Sequence, residues 1–249
     1  MTDETGRAPL ARTERAGSAP GSAPGRPARR HHWWRWALGG AAVLVALIFG
    51  AAALLMRQSA PPPLALPTAA ARAPAGPAGG TWAVAAGSVA GFRVAESALG
   101  MSNTVAGRTG AVSGTIVVSG DRVTRAALRV DLRTIKVGGK VQSQFGTSLG
   151  TAADPVATFT LARPVTLGPR FIAGSAVTVR APGYLAMHGT SRPVTVTLSG
   201  RRDGPALQAA GTIPVTFARW GIKGPAGFGI VGSLADHGVA EFLLVLHRQ

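Results

Sequence analysis

The sequence predicts an all-β protein: a closed, up-and-down antiparallel barrel of about eight strands with one short lid helix, preceded by a transmembrane helix. Three observations carry this. Apolar and polar residues alternate with period two from residue 81 to the end. One internal stretch breaks into the helical spacing of four. Residues 36–56 are 21 uncharged, mostly apolar side chains in a row.

The clearest strand is 123–133, where Ala126, Leu128, Val130 and Leu132 alternate with Arg125, Arg129, Asp131 and Arg133. Such alternation marks an antiparallel strand with one face on a core and one in water. Val112, Ile116 and Val118 share one face of the strand before it, and Ser119-Gly120-Asp121 joins the two as a hairpin. Phe92 and Val94 mark the first strand. Phe159 and Leu161, then Val194, Val196 and Leu198, then Ile213, Val215 and Phe217 each alternate with threonines. Phe242, Leu244 and Leu246 form one face of the last strand. Segments 171–180 and Tyr184–His188, the latter carrying Met187, complete the set. Val141, Phe145 and Leu149, spaced i, i+4, i+8 between Gly138-Gly139 and Asp154-Pro155, read as one helix with a single apolar stripe.

Before the barrel the chain divides into three. Residues 1–35 are Arg, Ala, Gly, Pro and Ser with few large apolar side chains, and read as a disordered basic tail. At 1.5 Å per residue, 36–56 spans a bilayer core of roughly 30 Å, with Trp33, Trp34 and Trp36 at its interface. Residues 57–80 hold Pro61, Pro62, Pro63, Pro67, Pro74 and Pro77 and read as a semi-rigid Pro/Ala-rich linker to the 81–249 domain. Seven arginines precede the span and Arg57 alone follows closely. The positive-inside rule then makes this a single-pass protein of the cell membrane, with a cytoplasmic N-terminus and an extracellular or periplasmic barrel. The alternative is a cleaved signal peptide, though a secretory apolar region is usually about 7–15 residues long.

The formal charge is +16, carried by 26 Lys and Arg against 10 acids, with arginine far ahead of lysine as in a GC-rich bacterial genome. A basic surface favours anionic lipid or nucleic acid. The 81–249 segment has no basic stripe interleaved with aromatics and no nucleic-acid motif, so nucleic acid is not expected as a partner. The absence of cysteine excludes disulfides, thiolate zinc sites and cysteine nucleophiles.

Two famous patterns lack their context. Gly146-Thr147-Ser148-Leu149-Gly150 fits the nucleophile elbow, but Ser148 falls in the lone helix of an all-β domain. Gly227-Phe228-Gly229-Ile230-Val231-Gly232 fits the dinucleotide fingerprint, but no βαβ unit surrounds it. No acidic residues of the domain form an obvious pair, and His188, His237 and His247 lack partners at metal-site spacing. No catalytic residue, metal or cofactor is expected. Asp236-His237 reads as loop, and His188 as the end of a strand beside Gly189.

Nearly every strand offers one apolar face, while aromatics are only 6% of the chain and Gly and Ala are abundant. A barrel of about eight strands either fills its interior or keeps room for one small ligand. Small inward residues favour room; a composition effect alone would leave a packed core.

Three stretches resemble a known family. Tyr184-Leu185-Ala186-Met187-His188-Gly189-Thr190-Ser191-Arg192-Pro193-Val194-Thr195 is similar to the L-x-[IM]-H-G-x-[ST]-R-x-V segment of the YceI-like lipid/polyisoprenoid-binding domain. Asp154-Pro155-Val156-Ala157-Thr158-Phe159 resembles the step into its next strand. Ile213 to Ile222, with Trp220-Gly221-Ile222, stands where the family runs a strand into a [FW]-G-I turn. The resemblance implies a lipocalin-like barrel outside the cytoplasm that holds a long apolar chain, a polyisoprenoid or quinone-like lipid, without catalysis. This chain departs at Lys140-Val141-Gln142-Ser143-Gln144-Phe145, where the family's Arg-Asp pair is missing. The expected ligand contacts are Phe92, Val94, Leu128, Val130, Phe145, Phe159, Leu161, Met187, Val196, Phe217, Phe242 and Leu244. The rival readings are a packed structural or adhesion barrel and a hydrolase using Ser148 or His188.

Overall fold

The structure, a computed structural model, describes residues 60–98, 101–224 and 232–249. The expected transmembrane span, the basic tail and most of the Gly227–Gly232 motif lie outside the described residues. No helix among the described residues is long and apolar enough to cross a membrane.

Among the described residues thirteen strands form one antiparallel sheet that closes on itself. They are β1 (Gly80–Val84), β2 (Val89–Ala98), β3 (Met101–Thr109), β4 (Val112–Ser119), β5 (Arg122–Asp131), β6 (Lys136–Val137), β7 (Lys140–Val141), β8 (Val156–Leu161), β9 (Val165–Thr166), β10 (Val177–Met187), β11 (Thr190–Asp203), β12 (Ala206–Thr216) and β13 (Gly232–Arg248). The order β1-β4-β5-β8-β10-β11-β12-β13 returns to β1, giving an eight-membered ring, and a branch β2-β3-β6-β7 leaves it from β13. β13 pairs with β1 through Leu246–Arg248 and with β2 through its earlier residues, so β1 and β2 act as one interrupted strand. Ser88 repairs the interruption. Its hydroxyl donates to the Val245 carbonyl at 3.1 Å and accepts the Val245 amide at 3.0 Å, replacing ladder bonds that a buried backbone must otherwise find. At the matching break between β3 and β4, the Thr109 hydroxyl accepts the Ala111 amide at 2.9 Å.

The period-two reading holds for the long strands, and four local expectations change. Residues 171–180 are not one strand: Pro169–Ile172 is a single helical turn, α2, opened by Gly168 at φ 80 with proline in its first turn. The strand begins at Val177 and runs unbroken through Tyr184 to Met187. The other helix, α1, is only Ser143–Ser148, and Val141 lies in β7, 58% exposed. Its stripe is cut because Gly138-Gly139, both at positive φ, fold β6 and β7 into a tight hairpin. Phe217 opens a 3-10 turn, Phe217–Trp220, instead of ending β12. Asp236-His237 lies within β13, at the irregularity between Leu234 and Gly238, and not in a loop.

The Pro/Ala-rich linker, expected as a spacer, is fastened to the barrel wall from Pro61 onward. The Leu64 amide donates to Glu241 Oε2 at 3.1 Å, and Arg93 and Arg108 donate to the Pro61 and Pro62 carbonyls. Further on, Arg201 donates to the Ala69 carbonyl, the Arg72 amide and guanidinium bind Asp203, and Ala75 and Gly204 share a backbone bond. Beneath this strap Glu241 is 1% exposed, held by Arg108 at 3.0 Å. Proline-rich chain suits the role: it is already extended, so little entropy is lost when it is laid down.

Candidate ligand cavity

The inward residues of the ring enclose a cavity of about 230 Å³, lined almost wholly by apolar side chains. Alternation places them. Ala126, Leu128 and Val130 of β5 point in, while Arg125 and Arg129 are exposed. At one end Phe171 of α2, Leu207 and Leu246 close the barrel, backed by Trp82, whose indole donates to the Ala78 carbonyl at 3.0 Å. Arg202 ties that end together by donating to the Ile172, Ala75 and Gly76 carbonyls. At the other end Leu132, Ile135, Leu149 and Met187 gather with Phe92.

The room comes from small residues. Ala90, Gly91, Ala126, Ala157, Ala181, Gly200 and Ala240 all belong to the lining. Glycine also lets aromatic rings lie against the wall: a Cβ on Gly183 would sit 2.3 Å from Phe159 Cε2, and one on Gly107 2.5 Å from Phe92 Cε1.

Nine of the twelve expected contact residues line this cavity: Phe92, Leu128, Val130, Phe159, Leu161, Met187, Val196, Phe242 and Leu244. Three do not. Val94 is buried on β2 but lies outside the lining. Phe145 sits on α1 with its ring 5.6 Å from Phe92. Phe217 packs with Trp220 and its neighbours, drawn off by the 3-10 turn. Sequence reading missed Phe171, Leu207 and Ile135, which enter from the α2 turn, a strand end and the segment after β5. None of those positions shows a long alternation.

His188 makes the turn between β10 and β11 with φ 51, the one non-glycine residue at positive φ among those described. Its Nδ1 is 2.8 Å from the Trp220 carbonyl. A carbonyl only accepts, so Nδ1 carries the hydrogen. The ring stacks over Gly150, where an added Cβ would meet it at 2.5 Å, and joins the end of α1 to the Phe217–Trp220 turn. Ser148 is the last residue of α1, not the turn between a strand and a helix that a nucleophile elbow requires. Among the described residues no three His, Asp or Glu side chains come together as a metal cluster.

A closed antiparallel barrel with an apolar interior and a helix at one end is a lipocalin-like architecture. The YceI-like domain model matches residues 82–240, and the chain belongs to that family. Among solved structures it is similar to a polyisoprenoid-binding domain from Saccharophagus degradans implicated in plant cell wall breakdown, with 20% identity and a TM-score of 0.54 over 69% of this chain and 99% of that one. It is also similar to Burkholderia cenocepacia BcnA, with 17% identity and a TM-score of 0.47 over 62% of this chain and 95% of that one. The first likeness is one of fold. No curated protein matches the sequence.

Proposed function

We propose that this protein is a membrane-anchored, extracytoplasmic binding protein that holds one apolar lipid chain, a polyisoprenoid or quinone-like tail, inside the barrel. The observation that carries the reading is the cavity of about 230 Å³ with its aliphatic lining. A sealed, dry void of that size would cost roughly 5–6 kcal/mol at ~24 cal/mol per Å³. A whole domain is stable by only about 5–15 kcal/mol, so an unfilled interior is a heavy burden for a structural barrel. A chain seated there removes that cost and gains ~25 cal/mol per Å² of apolar surface buried. The packed-barrel alternative needs larger side chains where Ala126, Ala157 and Ala181 stand. The reading assigns no reaction, metal or cofactor to the site. The anchor is residues 36–56, oriented by the seven arginines before it.

The test is organic extraction of the purified full chain followed by mass spectrometry. The expected result is one apolar lipid near equimolar amount, with a higher melting temperature when loaded. No lipid in the extract, and no uptake of added polyprenol, would return the packed-barrel reading. A C-terminal reporter active only in the cytoplasm would overturn the topology, and a mature N-terminus between residues 57 and 80 would show a cleaved leader.

A further inference from the structure

The outer wall formed by β5, β8, β10 and β11 carries a surface that lipid storage does not use. Its register is fixed by the ladder: Ala127 lies opposite Thr160, Thr160 opposite Tyr184, and Tyr184 opposite Pro193. All four face outward, because Leu128, Phe159, Leu161 and Leu185 beside them line the cavity. Tyr184 is 52% exposed. Around it Pro182, Pro193 and Pro214 floor a shallow groove whose rim holds Arg163 and Arg219. Arg125 and Arg129 flank Ala127 on β5, and Arg180 stands on β10, all exposed.

The charges on this wall are one-sided. Among the described residues Arg125, Arg129, Arg163 and Arg180 enter no ion pair; the arginines that do are Arg72, Arg93, Arg108 and Arg133. The acids at the ends of β5 do not neutralise them. Asp121 lies in the turn before the strand, and Asp131 is held by its own partner, Arg133, at 2.7 Å.

We infer that this wall is a docking face for an anionic bilayer surface. The inference rests on the lipid-binding reading, since an apolar cargo must be collected from or delivered to a membrane. Arginines pair with lipid phosphates, and each basic side chain near an anionic leaflet adds to the attraction. A tyrosine among prolines suits the interface, where an apolar ring and a polar hydroxyl are both accommodated. Nucleic acid fits less well, because one tyrosine and three prolines supply no run of stacking rings.

The chain has no cysteine, so one introduced thiol reports one place. The experiment labels Ala127→Cys on the full chain and, as a reference on the strap, Thr68→Cys. Energy transfer to headgroup acceptors is read in nanodiscs of phosphatidylcholine alone and with added phosphatidylglycerol. If the chain does not enter discs, the same labels are read with vesicles of the two compositions. Transfer from position 127 should rise only with phosphatidylglycerol and fall at high salt, as screening requires. It should drop at least about tenfold in effective affinity in Arg125→Gln/Arg129→Gln/Arg163→Gln, whose fold is checked by thermal melting. Equal transfer from positions 68 and 127, indifference to phosphatidylglycerol, or an unchanged triple variant would each overturn the proposal. Mass spectrometry of the same preparation separates the two readings. A docked wall without cargo fails the lipid-binding function, and bound cargo without docking fails this inference.

Discussion

The ring of Phe145 on α1 rests 5.6 Å from that of Phe92 on β2, the two planes inclined by 41°. Phe92 lines the cavity and Phe145 does not, so the pair is the seam between lid and wall. A tilted aromatic pair contributes about 0.5–1.5 kcal/mol beyond its buried area. Phe145→Ala should therefore lower the melting temperature by only a few degrees, while lipid release speeds up by as much as about tenfold. Stopped-flow transfer of a fluorescent polyprenol to acceptor vesicles measures it. Unchanged release would take the lid role from α1.

Leu128 and Arg129 are chain neighbours on opposite faces of β5, the first lining the cavity and the second exposed. Leu128→Arg places an unpaired charge in the apolar interior. It should abolish lipid recovery and sharply lower stability, with the cavity giving the side chain enough room for the barrel to stay folded near 25 °C. Arg129→Ala should stay within about 0.5 kcal/mol of the parent and keep its lipid. Thermal melts and extraction on the three proteins decide it. Lipid at parent levels in a folded Leu128→Arg would move the binding site elsewhere.

Glu241 is the deepest charge on the outer wall, buried by the strap and bound to Arg108 and the Leu64 amide. Removing one member of a buried pair strands the other, at a cost of about 3–5 kcal/mol. Glu241→Ala should lose that much in urea unfolding and expose the Leu64 amide to hydrogen exchange. An unaffected amide would show the strap held by other contacts.

The second strap fastening is pH-dependent. The Arg72 side chain, and then its backbone amide, hold the Asp203 carboxyl below its usual range. A group with a depressed folded pKa contributes stability above its unfolded pKa of about 3.9, and that contribution is lost as pH falls through the folded value. Exchange protection of the Arg72 amide should be flat from about pH 6 to 8 and decline below about pH 5. Arg72→Ala should shrink that decline without removing it, because the backbone amide of residue 72 still donates to Asp203.

His188 holds the turn between β10 and β11 through the Trp220 carbonyl. His188→Gln gives up the bond to the Trp220 carbonyl, worth about 1 kcal/mol, and should leave polyprenol affinity within a few-fold. Total loss of binding in a folded protein would place His188 at the ligand.

By itself the sequence determined which side of β5, β11 and β13 is dry. Leu128, Val196, Phe242 and Leu244 line the cavity because period-two alternation assigns faces without reference to any partner strand. The YceI-like segment from Tyr184 to Thr195 was legible for a similar reason: its hairpin turn needs His188-Gly189 at positive φ, a local demand. The tertiary structure decided what depends on distant pairings. Phe171 plugs one end only because Pro169 starts a helical turn that packs beneath β11. The strap from Leu64 to Ala75 is fixed by Glu241, Arg201, Arg202 and Asp203, more than a hundred residues away, so no local pattern announces it. The cavity, too, is a difference between the volume the ring encloses and the volume its side chains fill. Only closure of β1 onto β13 sets the first of these.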